Sequence, residues 1–258
     1  MKQRVTKAII LAAGRGTRMR ELTDSVPKPM VEVRGKPILA HIMEGLRDAG
    51  VSHFLIIVGY RKEVIVNHFG DGSAFGVVIA YREQIHQDGT GKVVALGREF
   101  CGSDPFILSY GDILVDPASY VPLTQPGEEE MILTVRYTED ASKGGAVYVN
   151  ERSEVVDLRE KQPEEARTNW YNAGIYCFKA TIFPYIDRLE KSPRGEYELT
   201  DAIRAMAHAG KKVMALEIKG FWADVRDPEI LSELNTTVGV PPRISMLFRG
   251  QDAKTKER

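Results

Sequence analysis

"KAIILAAGRGTRMRELTDSVPKP", residues 7–29, is the stretch from which the fold can be read. It opens on a short unbroken apolar run, Lys7–Ala13, ended by Gly14. Such a run reads as a strand buried on both faces. A loop with two close glycines, Gly14 and Gly16, follows directly. Ligands of open α/β sheets bind at this place, outside the carboxyl end of a strand. Positive charge gathers here as well. Met1 to Arg20 contains no acidic residue, Arg15, Arg18 and Arg20 lie close together, and Lys28 stands between Pro27 and Pro29. Glycine lets backbone N–H groups approach a phosphate. Guanidinium and ammonium groups add charge-assisted hydrogen bonds to its oxygens. The stretch points to an anionic ligand.

Outward from this loop, the chain alternates. "PILAHIMEGLRDAG" has apolar residues at Ile38, Leu39, Ile42, Met43, Leu46 and Ala49, which is helical spacing, with Pro37 at the start and Gly50 as the stop. "HFLIIVGY" reads as a strand, "RKEVIVNHF" as a helix, "GVVIAYRE" as a strand, "TGKVVALGREF" as one helix and "PFILSYGD" as a strand. Strand and helix in turn predict a parallel sheet with helices on both faces. After Asp116 four short strand-like runs follow with few helical intervals: "MILTVRYTE", "GAVYVNE", "EVVDLREK" and "YNAGIYCF". They predict an antiparallel or mixed excursion. Helices are expected at 181–190, 198–209 and 228–238, with a late strand in "KVMALEIK". No repeat or linker divides the chain. One domain over 1–240 and a polar tail over 241–258 are expected.

Composition narrows the ligand class. The 258 residues carry a net charge of -1, so no global field favours nucleic acid or an anionic membrane, and affinity for an anion must be local. The longest early apolar run, Ala8–Ala13, is too short for a signal core or a membrane span. The two cysteines, Cys101 and Cys177, form no C-x-x-C pair, which suits a reducing cytoplasm. The five histidines show no metal-like spacing. A dinucleotide fingerprint lacks its third glycine, because Met19 stands there, and a Walker A loop lacks its Gly-Lys-Ser/Thr.

"LAAGRGTRMRELTDSVPKPM" resembles the signature of the nucleotide-sugar pyrophosphorylases, usually L-A-A-G-x-G-T-R-L-x-P-L-T-x-x-x-P-K-P. Met19 replaces leucine and Glu21 replaces proline, neither at a charge-bearing position. The likeness continues through "GTGKVVAL", "FILSYGDILVD", "EKQP", "YNAGIYCF", "RGEYELTDAI" and "FWADVRDPEIL". It implies a Rossmann-like, mostly parallel mixed sheet of the GT-A type, with the antiparallel excursion serving the sugar.

The same resemblance implies roles. Leu11, Ala13, Gly14, Gly16, Thr17 and Arg18 would hold the nucleotide and its triphosphate, and Lys28 would bridge the α-phosphate and the incoming sugar phosphate. Gln84 would read the edge of uracil or thymine, since one amide donates and accepts as a pyrimidine imide requires. Gly89 and Thr90 would lie against base and ribose. Asp112 and Asp224 would hold Mg²⁺, which favours oxygen ligands and retains several waters; Asp116 is a nearby competitor. Gly145, Glu160, Lys161 and Asn172 would bind the sugar phosphate. Two departures stand out: Gln162 interrupts the usual Glu-Lys-Pro, and Arg226 stands where many relatives have glycine after Asp-Val.

The implied reaction is attack of a sugar 1-phosphate oxygen on the α-phosphorus of a nucleoside triphosphate. UTP or dTTP is favoured, and Arg18 and Lys28 serve as the catalytic cations. The alternatives are GTP with mannose 1-phosphate, a CTP-dependent relative, and a catalytically silent nucleotide-sugar sensor. The resemblance also leaves no room after the last helix for the hexapeptide-repeat domain of longer relatives. Oligomeric state stays open, a homo-oligomer included.

Overall fold

Strand β1 (Lys7–Ala12) sits in the middle of one large mixed sheet. The computed structural model describes residues 4–141, 145–160 and 167–236. Within them the chain runs β1, β2 (Glu32–Val33), β3 (Lys36–Pro37), α1 (Ile38–Asp48), β4 (His53–Val58), α2 (Lys62–Phe69), β5 (Val78–Glu83), α3 (Thr90–Ala95), α4 (Arg98–Cys101), β6 (Phe106–Tyr110), β7 (Ile113–Val115) and β8 (Met131–Tyr137). It continues through β9 (Ala146–Val149), β10 (Val155–Arg159), β11 (Trp170–Phe178), α5 (Phe183–Asp187), α6 (Leu199–His208), β12 (Val213–Glu217), β13 (Trp222–Asp224) and α7 (Pro228–Thr236).

β5, β4, β1 and β6 are mutually parallel, and β11 then enters antiparallel beside β6. β8 pairs with β11, β12 runs parallel to β8, and β9 and β10 branch from the first half of β11. The expected excursion is therefore a continuation of the same sheet. The chain leaves β1 toward β4 and β5, then returns to its other side for β6. That reversal marks the crevice where ligands bind in such sheets.

Both faces of β1 are buried, which explains its unbroken apolar sequence. Ala8, Ile10 and Ala12 pack on one side with Phe54 and Ile56 of β4 and with Leu39, Ile42 and Leu46 of α1. Ile9 faces the other side with Leu55, Ile57 and residues of α3, α5 and α6.

The structure corrects some boundaries. "TGKVVALGREF" forms two short helices rather than one, because Gly97 presses against Ile9, whose Cδ1 lies 2.2 Å from where a Cβ would stand. Two small sheets, β2–β3 and β7–β13, were not foreseen, since strands of two or three residues carry no periodicity. The predicted polar tail lies outside the described residues. No described helix is long and apolar enough to cross a membrane.

Candidate active site

A cleft of about 580 Å³ opens at the carboxyl ends of β1, β5 and β6. Leu11, Ala13, Gly14, Gly16, Thr17, Arg18, Lys28, Gln84, Gly89, Thr90, Asp112 and Asp224 all line it. These come from five separated parts of the sequence, so the fold brings together what the sequence scatters.

The first loop has a specific internal logic. Gly16 adopts a left-handed conformation, φ 72°, and a Cβ there would lie 2.6 Å from Cβ of Lys28. Gly16 thus makes room for the lysine stem as well as satisfying the turn. Above Gly14 nothing lies within 4 Å of a would-be Cβ, so that side of the loop is open toward the cleft. Residues Thr17–Thr23 form a 3-10 helix that buries Met19 completely, so methionine does the packing expected of the usual leucine. Pro27 and Pro29 hold Lys28 at the start of a second short 3-10 turn, and its Nζ lies 2.5 Å from Oδ2 of Asp112. Among the described residues the Arg18 guanidinium has no hydrogen-bond or ion-pair partner and is exposed to the cleft.

The second loop docks on the chain. Gly89 has φ 110°, and a Cβ there would collide with the Tyr197 backbone at 2.5 Å. Tyr197 N–H donates to Asp88 O at 2.7 Å, and Gly91 N–H donates to Tyr197 O at 2.7 Å. Gln84 Nε2 donates to His86 O at 2.9 Å, which orients the amide and leaves its oxygen and second hydrogen unused.

Asp112 and Asp224 meet through β7 and β13: Asp224 is the register partner of Ile113, and Val225 N–H donates to Asp112 O at 2.9 Å. Burial pushes the Asp224 carboxyl up to about 6, and the charge of Asp112 pushes the same way, while Lys28, Arg226 and Arg18 oppose. Two carboxylates facing each other in a part-buried site are short of positive charge. No third carboxylate, histidine or cysteine joins them in a metal-like cluster among the described residues. The donor set fits a hard divalent cation that takes its remaining ligands from phosphate and water. Asp116 is engaged elsewhere: its Oδ1 accepts from Ala118 N–H and caps the following 3-10 turn, and it does not line the cleft.

Residues 7–239 match the family model for nucleotidyl transferases. The chain belongs to the nucleotidyl transferase family. It is 36% identical over 233 residues to the bifunctional protein GlmU of Methanococcus aeolicus, covering 90% of this chain and 54% of that one. The chain thus spans about half the length of that relative. It is 35% identical to the UTP–glucose-1-phosphate uridylyltransferase AglF of Haloferax volcanii, covering 86% of this chain and 92% of that one. A Bacillus anthracis crystal structure described as a glucose-1-phosphate thymidylyltransferase, with a bound sucrose, superposes with a TM-score of 0.79 at 26% identity, over 92% of this chain and 98% of that one.

In this nucleotidyl transferase the residues expected on the sugar side stand apart from the cleft wall. Asn172 N–H donates to Gly145 O at 2.8 Å, which joins those two. Asn172 Nδ2 donates to the Tyr176 hydroxyl at 2.8 Å, Tyr176 donates to the Tyr110 hydroxyl at 3.3 Å, and Tyr110 itself lines the cleft. A buried chain of hydroxyls therefore runs from Asn172 to the cleft. Glu160 accepts from Thr200 Oγ1 at 2.8 Å and from Arg194 Nη2 at 3.3 Å, and it borders a second cavity of about 490 Å³. Lys161 and Gln162 lie outside the described residues.

Sequence reasoning missed Gln87, Tyr110 and Glu196, which also line the cleft. The position of Tyr110 directly before Gly111–Asp112, at a strand end, was the available signal. Other residues prove structural. Trp222 Nε1 donates to Ala173 O at 2.9 Å, and His41 bonds Val33 O at 2.9 Å with its pKa lowered by burial. Cys101 and Cys177 are buried, and burial pushes both thiols up to about 12, so neither is a nucleophile.

Proposed function

We propose that this protein transfers a nucleotidyl group from UTP or dTTP to a sugar 1-phosphate, giving a nucleoside-diphosphate sugar and pyrophosphate. The observation that carries the reading is the convergence on one cleft of the glycine loop, the Lys28–Asp112 pair and Asp224. The relatives' substrates, UTP with glucose 1-phosphate among them, agree with it.

An oxygen of the sugar phosphate attacks the α-phosphorus, and the bond from that phosphorus to the α–β bridging oxygen breaks in line. The attacking phosphate is already ionised, so no protein base is required. The work of the chain is alignment and relief of anion–anion repulsion. The open side of Gly14 admits the triphosphate, and the unpartnered Arg18 guanidinium neutralises it. Lys28, with its stem packed on Gly16, holds its ammonium between the two reacting phosphates. Asp112 and Asp224 would hold a divalent cation such as Mg²⁺, which would supply positive charge to the substrate phosphates. Gln84 offers an acceptor to the pyrimidine N3–H and a donor to a carbonyl. The sugar phosphate lies toward Gly145, Glu160, Lys161 and Asn172. The unit responsible is one domain over residues 1–240, working in the cytoplasm.

The test is a matrix of UTP, dTTP, CTP and GTP against a panel of sugar 1-phosphates, read by pyrophosphate release. Turnover is expected with UTP or dTTP. A preference for GTP or CTP removes the base reading by Gln84, and no release with any pair removes the activity.

A further inference from the structure

Arg226 is the residue by which this chain departs from the sequence pattern at its acidic pair, and the structure places it in the cleft. Its backbone N–H donates to Asp224 O at 2.8 Å, a tight turn that holds the side chain next to that carboxylate. The guanidinium is nevertheless not hydrogen-bonded there. Nη1 is 3.9 Å from Asp224 Oδ2 and Nε is 3.9 Å from Asp227 Oδ2, both beyond hydrogen-bond length. Among the described residues its five guanidinium N–H donors make no hydrogen bond, and the side chain is 37% exposed, open to an incoming group.

A structural role explains this poorly. Asp227 is already engaged, since its Oδ1 accepts from Ile230 N–H at 3.0 Å in the first turn of α7. A cation beside a helix N-terminus is opposed by the helix dipole. Arg226 therefore has only two loose ion pairs, to Asp224 and Asp227, to set against the opposing dipole, and its hydrogen-bonding fork is left unused. The fork geometry of guanidinium suits a phosphate bound through two oxygens.

Its neighbourhood decides which phosphate. The Tyr171 hydroxyl lies within the electrostatic reach of Asp224, Arg226, Glu160 and Arg18 together. Tyr171 is the neighbour of Asn172 on β11, and its ring meets Trp222 of β13 edge-on at 5.8 Å. Arg226, two residues beyond the end of β13's Trp222–Asp224, thus shares the neighbourhood of Tyr171 on β11, next to Asn172. We propose that Arg226 is an additional substrate-binding residue of this chain, which takes the phosphate of the incoming sugar 1-phosphate. The assignment rests on the proposed reaction and adds to it a phosphate contact at a position where many relatives have glycine.

The experiment compares wild type, Arg226→Gly and Arg226→Lys, using glucose 1-phosphate with UTP forward, and UDP-glucose with pyrophosphate in reverse. Wild-type turnover tests the reaction itself, and the variants test the residue. Arg226→Gly is expected to raise KM for glucose 1-phosphate about ten- to a hundred-fold, the range for losing a hydrogen bond to a charged group. KM for UTP and for pyrophosphate should stay within about twofold. Arg226→Lys should fall between, because it keeps the charge and loses the fork. Thermal unfolding of each variant within a few degrees of wild type excludes misfolding. A rise confined to UTP or pyrophosphate assigns the arginine to the triphosphate and overturns the proposal, as do unchanged constants throughout.

Discussion

Asp224→Asn should make the metal-free protein more stable while disabling it. The Asp224 side chain is 20% exposed, and burial with the facing Asp112 raises its pKa from 3.8 to about 6. A carboxyl held higher in the folded state than in the unfolded chain binds its proton more tightly when folded. Stability from this group is therefore complete below about pH 3.8 and is lost as pH rises through about 6. At 1.36 kcal/mol per pH unit, the ionised group weakens the fold by up to about 3 kcal/mol at pH 8. Asparagine has the same shape and never ionises. With Asp112 still paired to Lys28, we expect a gain of about 1–3 kcal/mol, or roughly 3–10 °C in Tm for a chain of this size. The assay is thermal unfolding of both proteins in EDTA from pH 4 to 8. The gap should be widest at pH 8 and close toward pH 4. Excess Mg²⁺ at pH 8 should narrow it by stabilising the wild type. A variant less stable than wild type at pH 8, or a gap that ignores pH, refutes the argument that burial and the facing Asp112 outweigh the nearby cations at Asp224.

Lys28→Ala removes a contact that strengthens as charge moves between the phosphates, so kcat should fall about 10²–10³-fold with little change in nucleotide affinity; full activity in the folded variant excludes this role. Gly16→Ala forces a Cβ to within 2.6 Å of the Lys28 stem at φ 72°, and should cost about 1–3 kcal/mol in denaturant unfolding together with much of the activity. Gln84→Ala should flatten the ranking of UTP and dTTP over CTP, measured as kcat/KM, from an advantage of roughly ten- to a hundred-fold toward parity. Tyr176→Phe breaks the hydroxyl chain between Asn172 and Tyr110, and should raise KM for the sugar 1-phosphate more than KM for UTP; equal changes in both would make the chain purely structural.

Legibility in the sequence followed physical scale. Long buried strands such as β1 and β4 were readable, because burial on both faces leaves an unbroken apolar run. The glycine loop and the lysine between prolines were readable because each uncommon residue answers a local need. The contact of Gly16 with Lys28 was not, since nothing in a one-dimensional string says that a loop glycine will face a side chain twelve positions on. Nor was the β7–β13 ladder, whose strands are too short for a period. The roles of Asp112 and Asp116 illustrate the same limit. Both follow one strand within a few residues, and only the structure shows that one caps a turn while the other meets Lys28 and Asp224.

The β7–β13 ladder has a consequence for how the site comes into being during synthesis. Asp112 and Asp224 are nearly half the chain apart, yet three paired residues on each side bring them together. A nascent chain that has emerged only through β7 already contains the glycine loop, Lys28, Gln84 and Asp112, but not the second carboxylate. Such a chain already holds β1, β4 and β5, the strands that carry the first half of the cleft. On the proposed reaction the centre is completed last, when β13 docks, and an unfinished polypeptide would lack the second carboxylate of the site.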